Sequence, residues 1–220
     1  ITIRRFNRTV MTPATLVQNA SASAAMMEFL RISVEQHKSI IVSGGTGSGK
    51  TTLLNVLSNL IPQGERLITI EDAAELKLNH PHLVSLESRP PNAEGRGAIT
   101  IRDLVKNALR MRPDRIIVGE VRGKEALDML KAWNTGHPGG VCTVHANDAR
   151  AGLLRIEQLI SEVSESPMRE LVAEAIDIVV FLVRDPHIGP RLSEIIAVEG
   201  VNDGQYVFRD LKQKRALKVG

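Results

Sequence analysis

The chain has 220 residues, a formal net charge of +3, 43% hydrophobic residues and only 3% aromatic ones. That length holds one full α/β core and a small appendage. The scarce aromatics speak against a base-stacking platform for single-stranded nucleic acid, and the mild charge demands neither nucleic acid nor anionic lipid. Direct nucleic-acid binding is therefore disfavoured. One cysteine, Cys142, excludes a disulfide framework or a Cys-rich zinc site within the chain and fits a reducing, cytoplasmic setting. It lies in the apolar run Val141-Cys142-Thr143-Val144, which predicts a buried structural thiol.

Residues 1–10 read as a basic strand carrying Arg4, Arg5 and Arg8. The chain opens on Ile1 rather than methionine, and a preceding N-terminal part is expected. Thr12-Pro13 is a cap followed by proline at the first helical position, which predicts a short helix to about Asn19 and a second over 21–36. Ser39-Ile40-Ile41-Val42-Ser43 predicts a buried strand, and residues 52–60 a helix stopped by Pro62 and Gly64. Leu67-Ile68-Thr69-Ile70 is a second strand, ending in Glu71-Asp72, with another over 83–86. Residues 89–97 are rich in Pro and Gly and are expected to form a mobile loop.

Thr100 and Asp103 form a capping box for a helix whose apolar face is Ile101, Leu104, Val105, Ala108 and Leu109, ended by Pro113. A strand over 115–118 leads to Glu120, a helix over 125–133 stops near Gly136, and a strand over 140–144 leads to His145. Asp148 caps a helix to about Ile160, and Ser166-Pro167 begins another. A strand over 176–183 follows. Residues 191–199 and 205–208 pair across Asn202-Asp203-Gly204, a hairpin signal. Alternating strands and helices from Ser39 to about Ile160 predict an α/β fold with a mostly parallel sheet and antiparallel C-terminal strands. In such sheets ligands bind beyond the C-terminal ends of the strands.

The chemistry concentrates there. Gly44-Gly45-Thr46-Gly47-Ser48-Gly49-Lys50-Thr51 fits the phosphate-cradling P-loop, and its strand and helix flanks are the context that motif needs. The glycines allow backbone N–H groups to converge on phosphate oxygens, and the helix N-terminus adds a favourable dipole. Lys50 is placed to meet the β- and γ-phosphates and the Thr51 hydroxyl to hold Mg²⁺, with Thr52 completing the nucleotide-binding set. Arg115-Ile116-Ile117-Val118-Gly119-Glu120 reads as a Walker B strand with glycine at the usual aspartate position. Glu120 then acts on the metal through water and serves as general base or water-positioner. Glu71, or Asp72 in its place, is the candidate for orienting Mg²⁺ or its waters.

His145 is a candidate γ-phosphate sensor, and His137 a weaker one. Arginines cluster in this region at 102, 110, 112, 115 and 122, and Arg122 is the candidate for stabilising transition-state charge.

The P-loop, the acidic Ile70-Glu71-Asp72 box, the strand ending in Gly119-Glu120 and the histidines at 137 and 145, in this order, resemble the secretion ATPase superfamily. That superfamily comprises type II secretion, type IV pilus and type IV secretion motors. The histidines are eight positions apart, with His137-Pro138-Gly139-Gly140 at the start, a pattern closer to the conjugal transfer branch than to pilus or type II motors. The resemblance implies a RecA-like P-loop NTPase domain over residues 37–220 with a C-terminal β-hairpin appendage. Residues 1–36 would be the end of an N-terminal domain, a linker and helices. It implies Mg²⁺-dependent ATP hydrolysis in a ring hexamer at the cytoplasmic face of the inner membrane. Peripheral membrane contact, partnership with inner-membrane components of type IV secretion, and the powering of pilus assembly or substrate transfer by domain motion would follow. The alternatives are a nucleotide-gated scaffold and a pilus or type II secretion ATPase.

Overall fold

The computed structural model describes residues 11–164, 166 and 168–211. The expected strand over 1–10 with Arg4, Arg5 and Arg8, and Pro167, lie outside the described residues. Two helices, α1 (Pro13–Gln18) and α2 (Ala24–Glu35), come first. The Thr12 and Ser23 side chains cap them by accepting from the N–H groups of Thr15 and Met26. Then follow β1 (Ile40–Gly44), α3 (Lys50–Ser58), β2 (Leu67–Glu71), β3 (Leu83–Glu87), α4 (Ile101–Ala108) with a 3₁₀ turn Leu109–Met111, and β4 (Arg115–Val118). After these come α5 (Glu125–Asn134), β5 (Val141–Val144), α6 (Ala149–Ser161), α7 (Arg169–Ala175), β6 (Ile178–Asp185), β7 (Gly189–Asn202) and β8 (Gln205–Asp210).

The eight strands form one sheet in the order β3-β2-β4-β5-β1-β6-β7-β8. The first six in that order run parallel, and β7 and β8 return antiparallel. Alternation along each strand splits the core into two layers. Ile41, Ile68, Ile116, Cys142 and Val179 point to the side covered by α4–α7. Ile40, Val42, Leu67, Ile117, Val141 and Val180 point to the side covered by α1–α3, where Leu30 and Val34 of α2 are fully buried. Both faces of the central strands are thus covered, which is why they read as unbroken apolar runs.

The capping box at Thr100 and Asp103 forms in full. The Asn202-Asp203-Gly204 turn joins β7 to β8, with positive φ at Asp203 and Gly204 as a tight hairpin turn of this hand requires. Within the loop expected to be mobile, Arg89 and Ile99 exchange both backbone hydrogen bonds at 2.8 Å, and the Asn92 side chain accepts from the N–H groups of Glu94 and Arg96. An Asx turn supplies locally the bonds that the Pro/Gly composition suggests are missing.

Candidate functional site

Because six strands run the same way, their C-terminal tips share one edge, and the loops after β1, β2, β4 and β5 gather there. β1 delivers the chain into the loop 44–49, and α3 leaves it with Gly49 as N-cap in a left-handed conformation (φ 93°) and no capping side chain. The N–H groups of the first helical turn, Lys50, Thr51 and Thr52, are therefore open toward the loop's concavity. A side chain at Gly44 would collide with the Leu182 carbonyl and the Ser48 hydroxyl, each 2.5 Å from where a Cβ would sit. Glycine is required there for the close approach of the backbone. Ser48 Oγ donates to Gly45 O at 2.9 Å and tightens the loop from inside.

Lys50 Nζ donates to the carbonyls of Gly44 (2.9 Å) and Gly45 (2.8 Å), so its ammonium is folded over the nest. Burial pushes the Lys50 ammonium below its ordinary value; the Glu120 carboxylate opposes that shift and the Arg122 guanidinium adds to it. Both side chains thus lie within electrostatic reach of the P-loop lysine.

The carboxylates fall into two kinds. Glu120 follows β4 and is 28% exposed; it accepts from Arg122 Nη2 at 2.5 Å. Asp72 accepts from Arg122 Nη1 at 3.4 Å and from Ser88 Oγ at 2.8 Å. Arg122 therefore bridges the two acids, and its pairing with Glu120 holds its guanidinium above the usual range. Glu71, at the end of β2, is buried. Its Oε1 accepts from the N–H groups of Glu75 and Leu76 at 3.0 Å each. Burial raises its carboxyl above the usual value, against the pull of those two bonds. β2 is three strands from β1, roughly 14 Å at the usual interstrand spacing. Glu71 reaches the centre of the edge only by lying against Gly119, where a Cβ would sit 3.0 Å from its Cγ.

His145 follows β5 directly and is exposed on the same edge. His137 precedes β5 and lies at the opposite edge, where its Nδ1 is 2.8 Å from the Pro113 carbonyl. The two histidines flank one strand but are separated by its length, about 13 Å for four residues. Arg115 is likewise at the far end. Its side chain is fully buried and bonds Glu65 through Nε (2.5 Å) and Nη2 (2.9 Å), with Nη1 on the carbonyls of Val34 and Gly139. Arg102 pairs with Asp128 of α5. Arg110 and Arg112 sit where α4 runs out before β4, again away from the P-loop. Of the five clustered arginines only Arg122 stands beside the P-loop lysine.

Side chains that the sequence pattern did not single out complete the edge. Thr143 Oγ1 donates to Gly119 O at 2.7 Å, and Glu125 Oε1 accepts from the N–H groups of Arg122 and Gly123, which fixes the turn that carries Glu120. The signal for Glu125 was its place at the start of a helix, where acids satisfy open N–H groups. A cavity of about 610 Å³ adjoins the loop between the α1–α2 turn and the β6–β7 hairpin, lined by Leu16, Asn19, Thr52, Leu53, Ile188 and Pro190 among others.

A hard divalent cation suits what is present: the donors at this edge, the Thr51 hydroxyl and the Glu120 and Asp72 carboxylates, are all oxygens. Among the described residues no group of three or more His, Cys, Asp or Glu is poised to hold a metal. Mg²⁺ itself takes one or two protein ligands and fills the rest of its shell with phosphate oxygens and water. No described helix is long and apolar enough to cross a membrane.

Comparison with known proteins gives the family. Residues 1–203 match the family model described as "Type II/IV secretion system protein". A probable conjugal transfer protein TrbB of Sinorhizobium fredii is 40% identical over 208 residues, covering 93% of this chain and 62% of that protein. The type IV secretion system protein PtlH of Bordetella pertussis is 45% identical over 175 residues, 74% of this chain and 50% of that protein. Among solved structures, the VirB11 ATPase from the Brucella suis type IV secretion system, in complex with sulphate, superposes with a TM-score of 0.70 at 32% identity, over 84% of this chain and 54% of that one. The pilus retraction motor PilT with bound ADP gives 0.66 at 25% identity, over 88% and 55%. The chain spans at most about three fifths of the length of these relatives. With a α/β sheet of RecA-like type and a match over nearly its whole length, the chain belongs to the type II/IV secretion system protein family.

Proposed function

We propose that this chain is the ATP-binding and ATP-hydrolysing core of a motor that serves conjugal transfer or another type IV secretion system. One observation carries the reading: the loop 44–49 enters α3 through an uncapped, left-handed Gly49 with Lys50 Nζ folded over the Gly44 and Gly45 carbonyls, and Glu120 follows β4 at the same edge of the sheet, two strands away. In this reading the open N–H groups of Lys50, Thr51 and Thr52, with those of the loop 44–49, hold the phosphates, and the cavity beside Thr52 and Ile188 receives the nucleoside. Lys50 turns from the Gly44 and Gly45 carbonyls to the phosphate oxygens, whose charge offsets its burial. Thr51 and, through water, Glu120 would hold Mg²⁺, which would neutralise phosphate charge.

Glu120 accepts the proton of the attacking water at its carboxylate, and Arg122 is released from it to meet the developing charge. Glu71 supports that turn from below, Asp72 anchors Arg122, and His145 senses the terminal phosphate. Ring assembly would draw on surfaces beyond the site; we place the chain as one protomer of a hexamer at the inner membrane's cytoplasmic face, with type IV secretion components as partners.

The test is Mg²⁺-dependent ATP turnover. Lys50→Ala and Glu120→Gln each lower kcat by on the order of 100-fold or more, as expected when preorganised charge or a water-positioning group is removed. Chelation of the metal abolishes turnover. Normal turnover by Glu120→Gln would remove Glu120 from the mechanism.

A further inference from the structure

We propose that Arg184, at the end of β6, is a further nucleotide-phosphate ligand, and that the β6–β7 hairpin carrying it forms one wall of the phosphate site. The inference rests on the reading of the P-loop given above. Register places the residue: Gly44, the last residue of β1, pairs with Leu182, and β6 continues to Asp185. Arg184 is thereby carried past the strand tips into the level of the phosphate loop. Its Nη1 donates to the Gly47 carbonyl at 3.3 Å, and a Cβ at Gly47 would sit 3.5 Å from the same nitrogen.

Arg184 pairs across the hairpin with Pro190. Pro190 packs on the next glycine of the loop: its Cβ lies 2.8 Å from where a Gly49 Cβ would be. Two members of one cross-strand pair thus touch the loop at successive glycines, and the hairpin is seated on the P-loop at two points. The turn between them is rigidified by Asp185, whose Oδ1 accepts from the N–H groups of His187 (2.8 Å) and Ile188 (3.0 Å). Those two bonds hold the Asp185 carboxylate below its usual range and commit it to the turn.

Among the described residues Arg184 forms no ion pair; its one hydrogen bond is to a neutral carbonyl at the long end of the range. A guanidinium so placed gains when it exchanges that carbonyl for a phosphoryl oxygen, because the bond becomes charge-assisted and can be bidentate.

The test is titration of a fluorescent ADP analogue, with inorganic pyrophosphate as competitor, on wild type, Arg184→Ala, Arg184→Lys and Lys50→Ala, with the thermal midpoint of each nucleotide-free protein. Arg184→Ala is expected to weaken both ADP and pyrophosphate about tenfold or more, the scale of a lost charge-assisted hydrogen bond. Its nucleotide-free midpoint stays within about 2 °C of wild type, and Arg184→Lys recovers part of the loss. In turnover, KM for ATP rises more than kcat falls. Wild-type affinity in Arg184→Ala, or a loss of affinity accompanied by an equal loss in thermal midpoint, would overturn the proposal and leave Arg184 a brace of the loop. Absence of nucleotide binding by wild type, or undiminished binding by Lys50→Ala, would instead overturn the P-loop reading on which it stands.

Discussion

Arg115 separates two accounts of the arginine-rich segment before Glu120, one catalytic and one structural. Its guanidinium is fully buried and its four hydrogen bonds join Glu65, the carbonyl of Val34 at the end of α2, and the carbonyl of Gly139 before β5. Arg115→Ala leaves the Glu65 carboxylate, only 14% exposed, with just the His37 imidazole 3.6 Å away and takes a donor from both carbonyls. Breaking one side of a buried pair costs about 3–5 kcal/mol, a large share of the 5–15 kcal/mol that holds a typical domain folded. Replacing both partners, Arg115→Met with Glu65→Leu, removes the stranded charge and recovers most of the loss, since apolar substitutes of similar volume are often neutral. Urea unfolding followed by Trp133 fluorescence measures each step, and ADP titration well below the transition measures the site. The structural account expects a large fall in midpoint for the single variant, recovery in the double variant, and nearly unchanged ADP affinity where the protein is folded. A single variant with wild-type stability and a tenfold weaker affinity for ADP would refute it and return Arg115 to the nucleotide site.

Two further predictions test the interior. Gly140→Ala places a Cβ 2.0 Å from Trp133 Nε1 and 2.7 Å from Ile116 O, so the indole must move and give up its bond to that carbonyl. A loss of about 2–4 kcal/mol in urea unfolding, with a red-shifted emission from the one tryptophan, is expected. Glu71→Gln retains an oxygen to accept from Glu75 and Leu76 but removes the buried charge. Because burial raises the Glu71 carboxyl above its unfolded value, the wild type carries full stability from this group below pH 4.5 and loses it as pH rises through the folded value. The variant should therefore be as stable as wild type at low pH and gain relative to it toward neutrality; a relative loss at pH 7 would contradict the burial effect.

The elements that carry a strong local pattern were legible from residues alone. The P-loop declares itself by glycine spacing, the caps at Thr12, Thr100 and Asp148 by residue type, and the β7–β8 turn by Asn202-Asp203-Gly204. What was not legible depends on which end of a strand a residue occupies once the sheet is assembled. His137 and His145 look like a pair in sequence because only a short strand divides them; in a parallel sheet that strand puts them at opposite edges. Arg115 and Arg122 both lie within a few residues of Glu120, yet β4 sends one into the floor and the other beside the P-loop. Arg184 escaped notice for the converse reason: 140 residues of chain and one strand pairing bring β6 beside β1, and nothing in its local composition reports that neighbour.

The glycine that stands where a Walker B strand usually ends in aspartate also takes its meaning from a distant neighbour. At position 119 any side chain would begin 3.0 Å from Glu71 Cγ, in the space through which the β2 carboxylate reaches toward the centre of the edge. An aspartate there would set a second negative charge against a carboxyl that burial already holds above its usual range, and like charges so close resist joint ionisation. With glycine, Glu71 fills the position from below while Thr143 anchors the Gly119 carbonyl, and Glu120, one residue on, projects toward Arg122 and the P-loop lysine. The departure at Gly119 and the buried acid at Glu71 are thus one arrangement: the supporting carboxylate comes from the adjacent strand, and the strand next to β5 is left to aim a single acid.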